Sequence, residues 1–228
     1  MTDEPKVHAA TMAELGVLTA SLLHELRQPL FTIKALAQMV QVKGRDADRL
    51  SQLLSQVGHM EQLIGYYGEF SRKNDPVVPF DLNEPTREAL AMLAHRGRSL
   101  GVVVDEQLLE GGVLVKGHRG AALQVAVNLL QNAYDALEEV QGRRLVVRTK
   151  KVDGMARLEV EDSGPGIAEE LVATIFEPFV TTTGPERGTG LGMYISRQLV
   201  ERTHGELRLF SKLGKGTRVE VDLPFSQP

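Results

Sequence analysis

Residues 144–167 read RLVVRTKKVDGMARLEVEDSGPGI, and this stretch determines what kind of fold the second half of the chain adopts. Two runs rich in valine and leucine flank Asp153-Gly154, a dipeptide that favours the two-residue turn of a β-hairpin. The second run ends at Asp162, which is followed at once by a turn that contains glycine and proline. The stretch therefore predicts an antiparallel hairpin that ends in a tight turn with a carboxylate at its start.

Asp162 and the turn behind it have two interpretations. A carboxylate at the end of a strand can accept a hydrogen bond from an exocyclic amine, while Gly164 and Gly166 let the backbone approach a flat ring closely. An ordinary strand-to-helix turn would have the same sequence. The turn alone does not separate a binding site from a simple connection.

The segments around this hairpin predict an α+β sandwich, in which helices cover one face of a mixed sheet. Apolar patterns and turn residues predict strands at residues 102–108, 113–117, 206–213 and 217–224 and helices at residues 83–97, 118–140 and 190–203.

Residues 8–73 have a different pattern, with apolar residues at spacings of three and four on either side of a turn at 43–46. This pattern predicts an antiparallel helical hairpin. Because a lone hairpin leaves apolar stripes uncovered, we expect two chains to pair through residues 8–73 as the four-helix bundle of a homodimer. The proline-containing stretch 75–79 is typical of a linker, so the predicted domains are 1–74 and 80–228.

The composition excludes several classes of protein. The chain has 228 residues and a formal net charge of −4, which gives no reason to expect binding to nucleic acid. It contains no cysteine, which excludes disulfides, thiol catalysis and cysteine metal sites. No apolar run approaches the roughly 20 residues that a membrane helix needs, and the first residues lack the apolar core of a signal peptide. These features predict a cytoplasmic chain with no membrane segment in this sequence.

The predicted helix at 118–140 carries Asn128 and Asn132, which are four residues apart and therefore share one face. Two carboxamides that project together can offer oxygen atoms to a hard cation such as Mg²⁺. A solvated helix face is the more common reason for such a pair.

Residues 176–193 combine two phenylalanines with a polar, glycine-rich stretch, which is typical of a mobile lid or of a simple surface loop. Gly188, Gly190 and Gly192 then open an amphipathic helix whose first backbone N–H groups suit a phosphate. The loop is not a Walker A motif, because no Gly-Lys-Ser/Thr closes it. The GKGT stretch at 214–217 has the composition of a hairpin turn.

Residues 22–33 read LLHELRQPLFTI and place Pro29 inside a helical pattern. A proline in a helix interior costs about 3 kcal/mol and frees the carbonyl four residues earlier, here that of Glu25 beside His24. Local rules tend to be broken at functional sites, which makes His24 a candidate for chemistry. A solvent-facing histidine on an ordinary bundle is the alternative.

The order of these motifs is more informative than any one of them. The asparagine helix, DSGPGI, FEPFVTTT, GTGLGM and GKGT resemble, in this order, the N, G1, F, G2 and G3 boxes of the GHKL (Bergerat-type) ATP-binding fold. With HELRQPL on a helical hairpin upstream, the chain resembles the core of a two-component sensor histidine kinase over nearly all of residues 10–224. HELRQPL and NAYDAL most resemble the nitrogen-regulation and C4-dicarboxylate-sensor branch.

The resemblance implies an enzyme that phosphorylates itself on a histidine with ATP and passes the phosphate to an aspartate in the receiver domain of a response regulator. His24 would be the phosphoacceptor, and Glu25 would orient its imidazole and take its proton. Gln28 stands where related kinases often carry an asparagine or threonine that helps to dephosphorylate the partner, so regulator phosphatase activity is a further expectation.

The resemblance also implies how ATP and Mg²⁺ are held. Asn132, with Asn128 nearby, would hold Mg²⁺ on the triphosphate, and Asp162 would recognise the adenine amino group. Thr183 stands where the family often has a lysine, and Arg187 is the candidate to replace it. The complete set of candidate ATP-binding residues is Asn128, Asn132, Asp162, Gly164, Gly166, Thr182, Arg187, Gly188, Gly190, Leu191, Gly192 and Thr217.

Two other functions are compatible with some of these motifs. A GHKL-type ATPase would use a glutamate base in the asparagine helix, but residues 124–128 read QVAVN and contain no glutamate. A nucleotide-binding scaffold whose hairpin only dimerises would bind ATP without phosphorylating itself.

Overall fold

The computed structural model describes residues 33, 77–138, 140–178, 180–181 and 190–226. The chain divides into two units, Met1–Lys73 and Asn74–Pro228. The predicted helical hairpin, with His24, Glu25 and Gln28, lies outside the described residues except for Ile33, which is helical. Within the described residues, no helix is long and apolar enough to cross a bilayer.

The described part of the second unit contains the strands and helices that the apolar patterns predict, together with the strand Val78–Asp81 and the short helix Glu169–Val172, which they do not predict. Its elements are β1 (Val78–Asp81), α1 (Asn83–Leu100), β2 (Val103–Gln107), β3 (Leu114–Gly117), α2 (Arg119–Leu137), β4 (Arg144–Val152), β5 (Met155–Asp162), α3 (Glu169–Val172), α4 (Gly192–Glu201), β6 (Glu206–Lys212) and β7 (Gly216–Pro224).

Five strands form one mixed sheet in the order β2-β4-β5-β7-β6. Strands β2 and β4 are parallel, and the remaining neighbours in this sheet are antiparallel. One face of the sheet is apolar, with Leu145, Val147, Leu158 and Val221 buried, and helices α2 and α4 pack against it. The α+β class predicted from the sequence is therefore confirmed.

The hairpin of β4 and β5 forms as predicted. Asp153 and Gly154 both have positive φ, at 50° and 78°, which is the conformation of a type I′ turn whose twist matches that of the flanking strands. The turn sets Val152 opposite Met155 and carries the register through to Leu145 opposite Asp162. Asp162 thus ends β5 beside β7, where Thr217 is its partner.

Strand β1 is an element that the sequence patterns do not predict. It begins at Val78, inside the stretch 75–79 predicted as a linker, and pairs antiparallel with β3 in a two-stranded ribbon. Pro79 is tolerated because proline, which lacks an N–H group, is acceptable on an edge strand. The pairing depends on β3, which lies more than 30 residues away in the chain, so local composition does not reveal it.

Candidate nucleotide-binding site

One face of α2 forms the floor of the site. Asn128, Asn132 and Ala136 are spaced by four residues and therefore lie in a row. A Cβ atom built on Gly192 would lie 3.9 Å from Asn128 Cγ and 4.0 Å from Asn132 Oδ1, and one built on Gly164 would lie 3.0 Å from Ala136 Cβ. This face of α2 thus reaches from the first turn of α4 to the turn after β5, and it brings together three motifs that are far apart in the chain.

Asp162 lies at one end of this floor and is only 8% exposed. Its Oδ1 accepts a hydrogen bond of 2.8 Å from the Gly164 N–H, and its carboxylate also accepts one from the Thr217 backbone. Burial raises the pKa of Asp162 to about 6, although these two donors act in the opposite direction. Asp162 is therefore a carboxylate that the fold holds out of water at some energetic cost, as is common for residues in binding sites.

The side chain of Ser163 fastens the turn to β4. Its hydroxyl accepts a hydrogen bond of 2.9 Å from the Arg144 N–H and donates one of 3.1 Å to the Gly142 carbonyl. Ser163 is thereby engaged with residues 142–144, and its role in the turn is structural.

Gly166 presses the other side of the turn against the connection between β6 and β7. It has a φ of 73°, and a Cβ atom there would overlap the Lys212 carbonyl oxygen. The Gly214 N–H donates to the Pro165 carbonyl at 2.6 Å, and the Ile167 N–H donates to Ser211 Oγ at 2.8 Å. The GKGT stretch is therefore a hairpin turn that also supports the turn after Asp162.

Thr217 connects the two turns. Its backbone lies opposite Asp162 in the sheet, and its hydroxyl lies 2.9 Å from Ser211 Oγ. Thr217 is half-buried, so part of it reaches solvent beside Asp162.

The other end of the floor is the first turn of α4. Gly190 has a φ of 66°, the buried Leu191 follows, and the helix begins at Gly192. The first N–H groups of a helix have no carbonyl partner within it, and they suit the oxygens of a phosphate. Thr182, Arg187 and Gly188 lie outside the described residues.

The two asparagines of α2 differ in their surroundings. Asn128 is 4% exposed, and its Nδ2 donates to Ser196 Oγ at 3.3 Å and to the Gly192 carbonyl at 3.4 Å. Asn132 is exposed, and its carboxamide has no hydrogen-bond partner among the described residues. A carboxamide oxygen is a suitable ligand for Mg²⁺, so Asn132 fits such an ion.

Ser196 is a site residue that the sequence reading missed. It lies on the buried face of α4 with Met193, Ile195 and Leu199. A serine within an otherwise apolar stripe, four residues after Gly192, was the available signal. Its pairing with Asn128 depends on packing between two helices, which a local pattern does not contain.

Both parts of the chain match known protein families. Residues 14–76 match the His Kinase A (phospho-acceptor) domain. Residues 117–227 match the family described as Histidine kinase-, DNA gyrase B-, and HSP90-like ATPase.

Individual relatives point the same way. Two-component sensor PprA of Pseudomonas aeruginosa is 35% identical over 96% of this chain and 25% of its own length. The C4-dicarboxylate transport sensor protein DctS of Rhodobacter capsulatus is 32% identical over 99% of this chain and 36% of its own length. The chain thus spans about a quarter to a third of these relatives.

A solved structure of histidine kinase ThkA, in complex with response regulator protein TrrA, has the same fold. It aligns with a TM-score of 0.68 and 24% identity over 98% of this chain and 65% of that one. This likeness confirms the fold. The two family matches and the relatives, which include a C4-dicarboxylate sensor, confirm the resemblance drawn from the motifs. The chain belongs to the two-component sensor histidine kinases.

Proposed function

We propose that this chain is the ATP-dependent core of a histidine kinase that phosphorylates His24 and then passes the phosphate to an aspartate of a response regulator. The observation that carries the proposal is the continuous floor along α2. It connects a buried carboxylate, Asp162, with the exposed carboxamide of Asn132 and the first turn of α4. These are the groups that an adenine, a metal-bound triphosphate and a phosphate require.

The adenine end of ATP would lie at Asp162. The carboxylate would accept a hydrogen bond from the exocyclic amine, and burial of Asp162 would strengthen that bond relative to one in water. The turn at Gly164 and Gly166 lets the backbone lie against the ring. Thr217 supports the carboxylate through its backbone N–H.

The triphosphate would lie between Asn132 and the N-terminus of α4. The N–H groups at Gly192 and the residues after it would bind phosphate oxygens, and Gly188, Gly190 and Gly192 would let the loop and the helix N-terminus close over them. Asn132 would hold a Mg²⁺ ion, which would supply positive charge to neutralise the transferred group. Thr182 and Arg187 would complete the lid, with Arg187 supplying the positive charge that Thr183 lacks.

His24 would be the nucleophile of the reaction. A neutral imidazole is available near pH 7 because its unperturbed pKa is about 6.5. Glu25 accepts the hydrogen bond from one ring nitrogen, and the other ring nitrogen attacks the γ-phosphorus. The bond between the γ-phosphorus and the bridging oxygen breaks, ADP leaves, and the ring proton passes to Glu25.

The partners would be a second copy of the chain and a response regulator. The match of residues 14–76 to the His Kinase A domain supports pairing through residues 8–73. The solved complex of histidine kinase ThkA with response regulator protein TrrA supports a receiver domain as the acceptor. Gln28 would orient a water molecule for removal of phosphate from that regulator, because a carboxamide both donates and accepts hydrogen bonds.

The test is incubation of the 228-residue chain with ATP labelled on the γ-phosphate, in the presence of Mg²⁺. We expect label on the protein that is stable in alkali and lost in acid, as a phosphoramidate should be. A GHKL ATPase would release labelled phosphate and leave the protein unlabelled. A nucleotide-binding scaffold would bind ATP and do neither.

A further inference from the structure

We infer that Ser196 is a positioning residue of the nucleotide site, which holds the Asn128 carboxamide and through it the first turn of α4. The inference rests on the proposed binding of ATP. Asn128 would then connect α2 to α4 and would not be the predicted second ligand of Mg²⁺. Asn132 would be the metal-binding asparagine of α2.

The contacts around Ser196 carry this inference. Ser196 is completely buried and lies four residues after Gly192, so its hydroxyl is one helical turn below the start of α4. Asn128 Nδ2 donates to Ser196 Oγ at 3.3 Å and to the Gly192 carbonyl at 3.4 Å. A single NH₂ group of α2 thus binds the first residue of α4 and a residue one turn later.

The remaining polar atom of this carboxamide is also engaged. Asn128 Oδ1 accepts a hydrogen bond of 3.3 Å from Gln124 Nε2, one turn earlier on α2. An asparagine carboxamide has two donor hydrogens and one carbonyl oxygen, and all three have a partner here. The orientation of the carboxamide is therefore set by Gln124 on one side and by α4 on the other.

The position of the hydrogen bond between Asn128 and Ser196 determines which end of ATP it can affect. The first turn of α4 carries the N–H groups that would bind phosphate, and Gly192 is also the neighbour of Asn132. Asp162 is at the opposite end of the floor, beside Gly164 and Ala136. Loss of the Ser196 hydroxyl should therefore disturb phosphate binding and leave adenine binding unchanged.

The test compares two ligands on the same protein by calorimetry of the 228-residue chain. One ligand is a non-hydrolysable ATP analogue with Mg²⁺, and the other is adenosine, which has the base but no phosphate. Ser196→Ala should weaken the analogue by about three- to tenfold, the effect of one lost hydrogen bond, and change adenosine by less than about twofold. Ser196→Thr, which keeps the hydroxyl, should restore most of the difference.

Thr86→Val is the matched control. Thr86 is a buried hydroxyl that donates to the Leu82 carbonyl at 2.8 Å, and it belongs to none of the nucleotide motifs. Loss of the Thr86 hydroxyl should lower the thermal unfolding temperature without changing the ratio of the affinities for the analogue and for adenosine. If Ser196→Ala weakened the binding of adenosine and of the analogue equally, Ser196 would support the fold only. If the binding of the analogue were unchanged, Ser196 would have no role in the nucleotide site.

The outcome is distinguishable from failure of the proposed function. If the parent chain binds the analogue but gives no acid-labile label, the kinase proposal fails, while a selective loss in Ser196→Ala still supports this inference. If the parent chain binds neither ligand, both fall.

Discussion

Asp162 is buried, although its proposed role requires an ionised carboxylate. Burial raises its pKa from 3.8 to about 6, so the folded protein holds the ionised form less well than the unfolded chain does. A difference of about two pKa units corresponds to about 3 kcal/mol. A carboxyl whose pKa is raised by folding lowers the free energy of unfolding, and it does so fully above about pH 6. The lost stability is recovered as the pH falls towards the pKa of the unfolded chain.

Asp162→Asn should therefore make the nucleotide-free protein more stable while it damages binding. Near pH 7.5 we expect the free energy of unfolding to rise by as much as about 3 kcal/mol, and the gain should shrink below pH 6 and vanish near pH 4. ATP binding should weaken at least about tenfold, because a hydrogen bond to a charged group is lost. Urea unfolding across this pH range and calorimetry with ATP measure the two effects. A variant that is less stable than the parent at every pH would contradict this explanation of the buried carboxylate.

The turn after β5 requires a glycine at position 166. Its φ of 73° is left-handed, and the space where a Cβ would stand is taken by the Lys212 carbonyl. Gly154 in the hairpin turn has a similar φ of 78°, but nothing lies within 4 Å of a Cβ there. The two glycines have the same backbone conformation and differ in whether a neighbouring strand occupies the side-chain position.

Gly166→Ala should consequently cost more than Gly154→Ala. We expect about 1–2 kcal/mol for the hairpin variant, the cost of a left-handed alanine. A further 1–3 kcal/mol is expected for Gly166→Ala, from overpacking against the backbone. Denaturant unfolding of both variants gives the difference directly. Equal losses would mean that β6 and β7 move aside without cost.

The face of the sheet opposite α2 and α4 carries paired charges on β4, β5 and β7. Glu159 is almost completely buried, and its two oxygens accept hydrogen bonds of 2.5 Å from Arg148 and 2.7 Å from Lys150. Burial raises the pKa of Glu159, but the two cations outweigh burial and hold it below its usual value. Such a group stabilises the fold above its unfolded pKa, and the contribution is lost as the pH falls through the folded pKa.

Glu159→Gln should lower the free energy of unfolding at pH 7 by about 1–2 kcal/mol, a modest amount because Lys150 is also partly solvated. The gap to the parent should close at low pH, where the parent glutamate is protonated as well. Glu161→Gln is the control, since Glu161 pairs with the same Arg148 but is 44% exposed. If the control were as destabilising as Glu159→Gln, burial would not be the reason for the effect.

At the scale of the whole molecule, the residues proposed for chemistry lie in two separate units. His24 belongs to Met1–Lys73, whereas Asn132, Asp162 and the start of α4 belong to Asn74–Pro228. A change at the nucleophile should consequently leave nucleotide binding unchanged.

His24→Gln should abolish the acid-labile label, because glutamine has no nucleophilic ring nitrogen. The affinity for ADP should stay within about twofold of the parent, because the nucleotide motifs belong to the other unit. Labelled-ATP assays and calorimetry on the same preparation measure both. Retained acid-labile label would assign the phosphoacceptor to another histidine. A parallel loss of ADP affinity would contradict the separation of roles between the two units.

Local features of the sequence were sufficient for most elements of the second unit. The turn at Asp153-Gly154 depends on two adjacent residues that both tolerate positive φ, so the hairpin and its register could be predicted from the sequence. The same holds for the order of the nucleotide motifs, since each is a short stretch with its own composition. Strand β1 could not be found in this way, because its partner β3 is distant in the chain.

The sequence by itself determined which motifs this protein has and where its strands turn, because those properties depend on neighbouring residues. Only the tertiary structure decided what each motif residue does. Asn128 and Asn132 are equivalent by spacing, yet packing of α4 buries the first against Ser196 and leaves the second exposed. Asp162 acquires its raised pKa from burial in the folded protein, which outweighs the hydrogen bonds from Gly164 and Thr217. Burial is a property of contacts between distant segments, and no local pattern of residues contains it.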